Sequence, residues 1–69
     1  MKYRDAIRLL TQNGYVLVRQ KGSHRQYEGW VDDERHLVTI ACHSENEDIL
    51  PHTLQSIIRQ SGLSKKLFR

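Results

Sequence analysis

The residues best suited to chemistry lie within one short stretch, residues 19–25. Its members are basic, small or titratable: Arg19, Lys21, Gly22, Ser23, His24 and Arg25. Basic side chains bind phosphate, and a glycine lets the chain turn tightly and lets a phosphate approach the backbone. Histidine is the residue type that exchanges a proton near neutral pH. The pattern therefore indicates a phosphate-binding turn with a general acid or base beside it.

RNA is a polyanion that suits such a turn, because it carries its own nucleophile, the 2′-hydroxyl beside each phosphate. An enzyme that cleaves RNA needs an acid or base, positive charge for the developing negative oxygens, and correct geometry. By itself, a Lys-Gly-Ser-His turn is also typical of an ordinary solvated hairpin. The functional interpretation therefore depends on the elements that position the turn.

Length and charge restrict the classes of protein to which the chain can belong. Its 69 residues form one small domain, 1–69. Lysine and arginine number 11 against 8 acidic residues, a net charge of +3, which favours either a polyanionic partner or an ordinary solvated surface. The single cysteine excludes an internal disulfide framework, and no apolar run reaches the ~20 residues that span a bilayer. We therefore expect a cytoplasmic protein without a membrane partner.

Hydrophobic periodicity predicts two helices, three strands and a short last turn. The predicted elements are 2–13, 15–20, 24–30, 37–42, 51–61 and 65–68. Gly14 and Gly62 mark the ends of the helices, and Pro51 suits the first turn of the second helix. The order α-β-β-β-α predicts an α+β fold, in which both helices pack on one face of a three-stranded antiparallel sheet. The other face of the sheet is then open to solvent or to a partner.

The turn and the elements around it together resemble the HicA toxin family, small mRNA interferases with a fold like that of double-stranded-RNA-binding domains. The matching segments are 13–15 (NGY), 19–24 (RQKGSH), 38–43 (VTIACH) and 53–62 (TLQSIIRQSG). They occur in the family's order over nearly the whole chain. Two departures leave the shape of the second β-turn open: Ala41 stands where the family has proline, and the segment between residues 29 and 37 is long.

The resemblance implies an endoribonuclease toxin in which His24 is the catalytic residue. It also implies a HicB-type antitoxin that covers the active site. We expect Lys21, with Arg19 and Arg25, to bind the phosphate of mRNA, and the Gly22-Ser23 backbone to help hold it. No cofactor is required, and the chain alone is expected to be a monomer. His43, after the third strand, is a secondary candidate for the site.

Two other functions are compatible with the same sequence. One is a non-catalytic RNA-binding module on the same fold, and the other is a protein-interaction domain that uses the open sheet face. A metal site is disfavoured, because Cys42 and the scattered histidines lack the paired short spacings of zinc ligands. Cys42 is expected to be a small buried or half-buried strand residue. Tyr27 and Trp30 either pack in the core or hairpin or stack on bases.

Overall fold

The computed structural model describes all 69 residues and has the predicted α-β-β-β-α order. Its elements are α1 (Tyr3–Gln12), β1 (Val16–Lys21), β2 (His24–Val31), β3 (Glu34–Ala41), α2 (Pro51–Ser61) and a 3₁₀ turn, Lys65–Phe68. The strands form one antiparallel sheet in the order β1-β2-β3, which confirms the predicted fold class. Neither α-helix has the length and hydropathy needed to cross a membrane.

The start of each α-helix is explained by local interactions or by residue type. The first amides of α1 are satisfied by the loop at residues 43–48: the carbonyls of Glu47 and Glu45 accept from the N–H groups of Tyr3 and Arg4 at 3.0 and 2.9 Å. These bonds satisfy donors that a helix start leaves unpaired. In α2, Pro51 occupies the first turn, as predicted. The acidic loop before α2 thus supports the start of α1.

One face of the sheet is buried against the helices, and the other is not covered by them. Tyr27, Val38 and Ile40 are buried with apolar residues of both helices in a single core. Directly opposite residues share a face of an antiparallel sheet, so the register defines the other side. We call this side the open face; its residues are Val16, Arg19, Lys21, His24, Gln26, Glu28, Trp30, Arg35, Leu37, Thr39 and Ala41. No helix covers it, and the charged cluster of the sequence lies at one end.

Tyr15 joins the sheet to the end of α2. Its ring is buried against the backbone of Gly29, where an added Cβ would lie 2.6 Å from three ring atoms. Its hydroxyl donates a buried hydrogen bond to the carbonyl of Ser61. Only glycine permits this close approach, so Gly29 in β2 determines where the ring of Tyr15 packs.

The strand ends on either side of the β2–β3 turn differ from the predicted ones. Asp32 and Asp33 have φ angles of 51° and 65°, and the strands extend to Val31 and from Glu34 on either side. Two central residues with positive φ make a type I′ turn, which continues the twist of a hairpin, and aspartate tolerates that conformation. The long segment between residues 29 and 37 is therefore extra strand, and β3 starts three residues earlier than predicted.

Replacing Tyr15 by phenylalanine should lower the free energy of unfolding by about 1–3 kcal/mol, because the buried Ser61 carbonyl loses its donor. Tyr3→Phe is the matched control, since the half-buried Tyr3 hydroxyl makes no hydrogen bond, and it should change stability by less than about 0.5 kcal/mol. Urea titration followed by circular dichroism measures both variants. Equal losses for the two would show that the Tyr15 hydroxyl does not hold α2.

Candidate functional site

A shallow cleft of about 190 Å³ lies on the open face beside the β1–β2 turn. Five side chains line it: Arg19, Lys21, His24, Gln26 and Thr39. Two are cations, one is an imidazole and two are neutral hydrogen-bonding groups, so the lining contains no carboxylate. His24 is the first residue of β2 and is exposed, directly opposite Lys21. The cleft therefore suits an anion placed within reach of a histidine.

A β-bulge in β1 brings the two cations to this face. Leu17 pairs with Tyr27, but the next pair along is Arg19 with Gln26, so Val18 is an extra residue in β1. Without the extra residue, strict alternation would turn Arg19 toward the helices and away from His24. Bulges often re-aim a side chain beside a functional site, and here the bulge gathers Arg19 and Lys21 beside the histidine.

The Gly22-Ser23 turn presents open backbone next to the cleft. Gly22 has a φ of 60° while Ser23 does not have a positive φ, which is the pattern of a type II′ turn with glycine at its first central position. Apart from Gly22 itself and its two neighbours in the chain, no atom lies within 4 Å of a Cβ placed on Gly22. The turn is held from both sides, because Gln20 Nε2 donates to the Gly22 carbonyl at 3.3 Å and the Cys42 N–H donates to the Ser23 carbonyl at 3.1 Å.

Arg25 lies outside the cleft, contrary to the expectation that it contacts phosphate there. Its neighbours in β2, His24 and Gln26, point to the open face, so alternation directs Arg25 to the helix side. There its guanidinium Nη1 donates to Glu45 Oε2 at 2.9 Å. This hydrogen bond to Glu45 raises the pKa of Arg25. Arg25 therefore ties β2 to the loop that supports the start of α1.

The remaining candidates divide between the turn and the loop after β3. Gly22 is exposed in the turn and Ser23 is half-buried there. His43 is exposed and follows Cys42, but it is not among the residues that line the cleft. Gln26 and Thr39 were not predicted as site residues, although their positions in the strands indicate that they share a face with His24. Gln26 lies two residues beyond His24 on the same strand face, and Thr39 is its partner in β3.

Neither metal chemistry nor a reactive thiol is indicated by the arrangement of side chains. No group of three or more histidine, cysteine, aspartate or glutamate residues is arranged to hold a metal ion. Cys42 is buried and belongs to the core, but it lies one residue beyond the end of β3 and not, as was predicted, in the strand. Burial raises the pKa of the Cys42 thiol, which keeps it protonated and weakly nucleophilic.

Alkylation of Cys42 should accordingly be slow in the folded protein. Iodoacetamide at neutral pH should modify the thiol much faster in urea, where burial no longer raises its pKa or blocks access. Mass spectrometry of the intact chain follows the reaction, with free cysteine as the reference for intrinsic reactivity. A native rate equal to that of free cysteine would contradict the buried position.

Comparison with known proteins identifies the family of the chain. The family model described as HicA toxin of bacterial toxin–antitoxin systems matches residues 3–63 of the 69, a range that includes the cleft, the turn and both α-helices. A search of curated proteins finds no match. Because the family model covers most of the chain, the protein belongs to the HicA toxin family.

Proposed function

We propose that the protein is a metal-independent endoribonuclease that cleaves mRNA, and that the cleft on the open face is its active site. The observation that carries this proposal is the position of His24, in a cleft with two cations and no carboxylate. Such a site attracts a phosphodiester and places a proton-transfer group beside it. Membership in a toxin family supports the proposal, since RNA cleavage is the activity that the family resemblance implies.

The chemistry requires few protein groups, because the nucleophile belongs to RNA. The 2′-hydroxyl attacks the neighbouring phosphorus, and the bond from phosphorus to the 5′ oxygen breaks. One proton leaves the 2′ oxygen and another reaches the departing 5′ oxygen; His24 transfers one of these as general base or acid, and water transfers the other. Lys21 and Arg19 stabilise the negative charge that grows on the phosphate oxygens, with the exposed Gly22 backbone beside them.

The family also implies a protein partner, the antitoxin of the toxin–antitoxin pair. We propose that a HicB-type antitoxin covers the cleft in the cytoplasm and so excludes RNA. An acidic partner surface would be attracted to the cations of the cleft, and such complementarity speeds association. The antitoxin would then inhibit by occupying the site that the phosphate needs.

Replacing His24 by alanine should reduce the RNA cleavage rate by about 10²–10⁴-fold, the usual contribution of general acid–base catalysis. RNA binding and the melting temperature should change little, because His24 is exposed. The assay uses purified protein, a labelled single-stranded RNA and excess EDTA, and a gel resolves the products. His52→Ala is the matched control, since His52 is exposed in α2, and it should cleave at the wild-type rate.

His36 is unsuitable as a control, because its ring lies against Gly62 and its Nδ1 is 3.0 Å from the Gln60 carbonyl oxygen. Wild-type cleavage by His24→Ala would overturn the catalytic assignment. If wild-type protein bound RNA tightly but never cleaved it, the alternative of a non-catalytic RNA-binding module would replace the enzyme.

Lys21→Ala should weaken RNA binding and lower its salt dependence. Each phosphate contact to a single strand contributes a slope of about −0.7 in log K against log [salt], so the loss of Lys21 should reduce the slope by about that amount. Arg25→Ala should leave the slope unchanged, because Arg25 is paired with Glu45 on the helix side. Fluorescence anisotropy at several salt concentrations measures both; a larger change for Arg25→Ala would place the phosphate elsewhere.

A further inference from the structure

Trp30 is the one aromatic residue that the fold leaves largely uncovered. It is 64% exposed, whereas Tyr27, three residues earlier in β2, is only 5% exposed. Alternation explains the difference, because Tyr27 faces the helices and Trp30 belongs to the open face. Tyr27 is therefore a core residue. The exposed indole lies on the same face as the cleft, and the residue directly opposite it in β3 is Arg35.

We propose that Trp30 stacks on a base of single-stranded RNA whose phosphate lies in the cleft. The proposal rests on the proposed function and extends the binding site from the turn along β2. Aromatic side chains beside basic groups on a sheet face are the usual means by which proteins bind unpaired bases, because every base has a π-face. A tryptophan on an uncovered sheet face has the geometry for such a contact.

The distance along β2 suits a strand that continues from the cleft. Trp30 is six residues from His24 on the same strand face, which at the rise of an extended chain is about 20 Å. β1 pairs with β2 only as far as Glu28, so Trp30 lies on the part of the sheet that has two strands. This part exists because β2 and β3 extend to the Asp32-Asp33 turn. The indole is thus open to a ligand on the side where β1 has ended.

The charges between the cleft and Trp30 also permit a phosphodiester chain to pass. Glu28 is the carboxylate of the open face, and Arg35 Nε lies 2.5 Å from its Oε2, so the pair is neutralised. Val16 and Leu37 are the register partners of Glu28 and are both exposed. The ion pair interrupts the apolar surface that these side chains would otherwise form. A protein interface has a continuous apolar centre, so this interrupted surface suits separate contacts with bases and sugars better.

Trp30 is the only tryptophan, so its fluorescence reports its own environment. The experiment titrates His24→Ala protein, which should not cleave, with a single-stranded RNA of about eight nucleotides, within the ~4–16 that such sites accommodate. Stacking should quench the emission in parallel with the binding measured by anisotropy. An oligomer of the same length built from abasic sites should bind through charge without quenching. A duplex should also fail to quench, because its base faces are covered.

Trp30→Ala should weaken binding of the same RNA by about 5- to 150-fold, the range that corresponds to ~1–3 kcal/mol per stacked base, and Trp30→Phe should recover most of the loss. Leu50→Ala is the matched control, an exposed apolar residue next to α2, and should bind as the parent does. A dinucleotide, which reaches only the cleft, should bind equally to all variants.

The outcomes separate this proposal from the proposed function. RNA that binds without quenching, with Trp30→Ala unaffected, would overturn the stacking role, keep the cleft as an RNA site and leave the indole to a protein partner. Quenching by RNA that wild-type protein never cleaves would support the stacking role and overturn the enzyme. A protein that binds no RNA by either measurement would overturn both.

Discussion

The packing of Tyr15 on Gly29 and its buried hydrogen bond to Ser61 are the contacts on which the rest of the fold depends. A 69-residue chain has a small core, so each buried residue must bring several elements together. Tyr15, the residue before β1, contacts Gly29 of the central strand and Ser61 at the end of α2. With the helices fixed on one side, the sheet keeps its other side uncovered. The cleft lies on that side, and no core side chain is needed to form it.

Much of this arrangement was predictable from the sequence, and the parts that were not have identifiable causes. Glycine, proline and apolar spacing defined the helices, while the turn residues defined the hairpin at His24. The extra residue at Val18 was not predictable, because a bulge leaves no mark within an apolar run and is decided by pairing with β2. It also determines that Arg19 joins the cleft. Arg25 is basic and adjoins the turn, which suggested a phosphate contact, but strand alternation places it with Tyr27 on the face opposite His24.

The residues that stabilise the fold lie on one side of the sheet, and the residues of the candidate site lie on the other. On the helix side, burial and paired groups such as Arg25 and Glu45 hold the elements together. On the open face, the unpaired cations Arg19 and Lys21 border an exposed histidine, and β2 continues from them to Trp30. Substitutions on the open face should therefore affect ligand binding and rate more than folding. This separation makes the functional assignments testable, because loss of activity can be distinguished from loss of structure.

In the proposed reaction, RNA supplies the nucleophile and His24 moves a proton, without a metal ion. Its most direct test is single-turnover cleavage in excess EDTA of one RNA in two forms, which differ only by a 2′-deoxy sugar at the cleaved position. Both forms should bind equally, and only the all-ribose strand should be cut at that position. Equal cleavage of the 2′-deoxy form, or cleavage that appears only when a divalent ion is added, would contradict it.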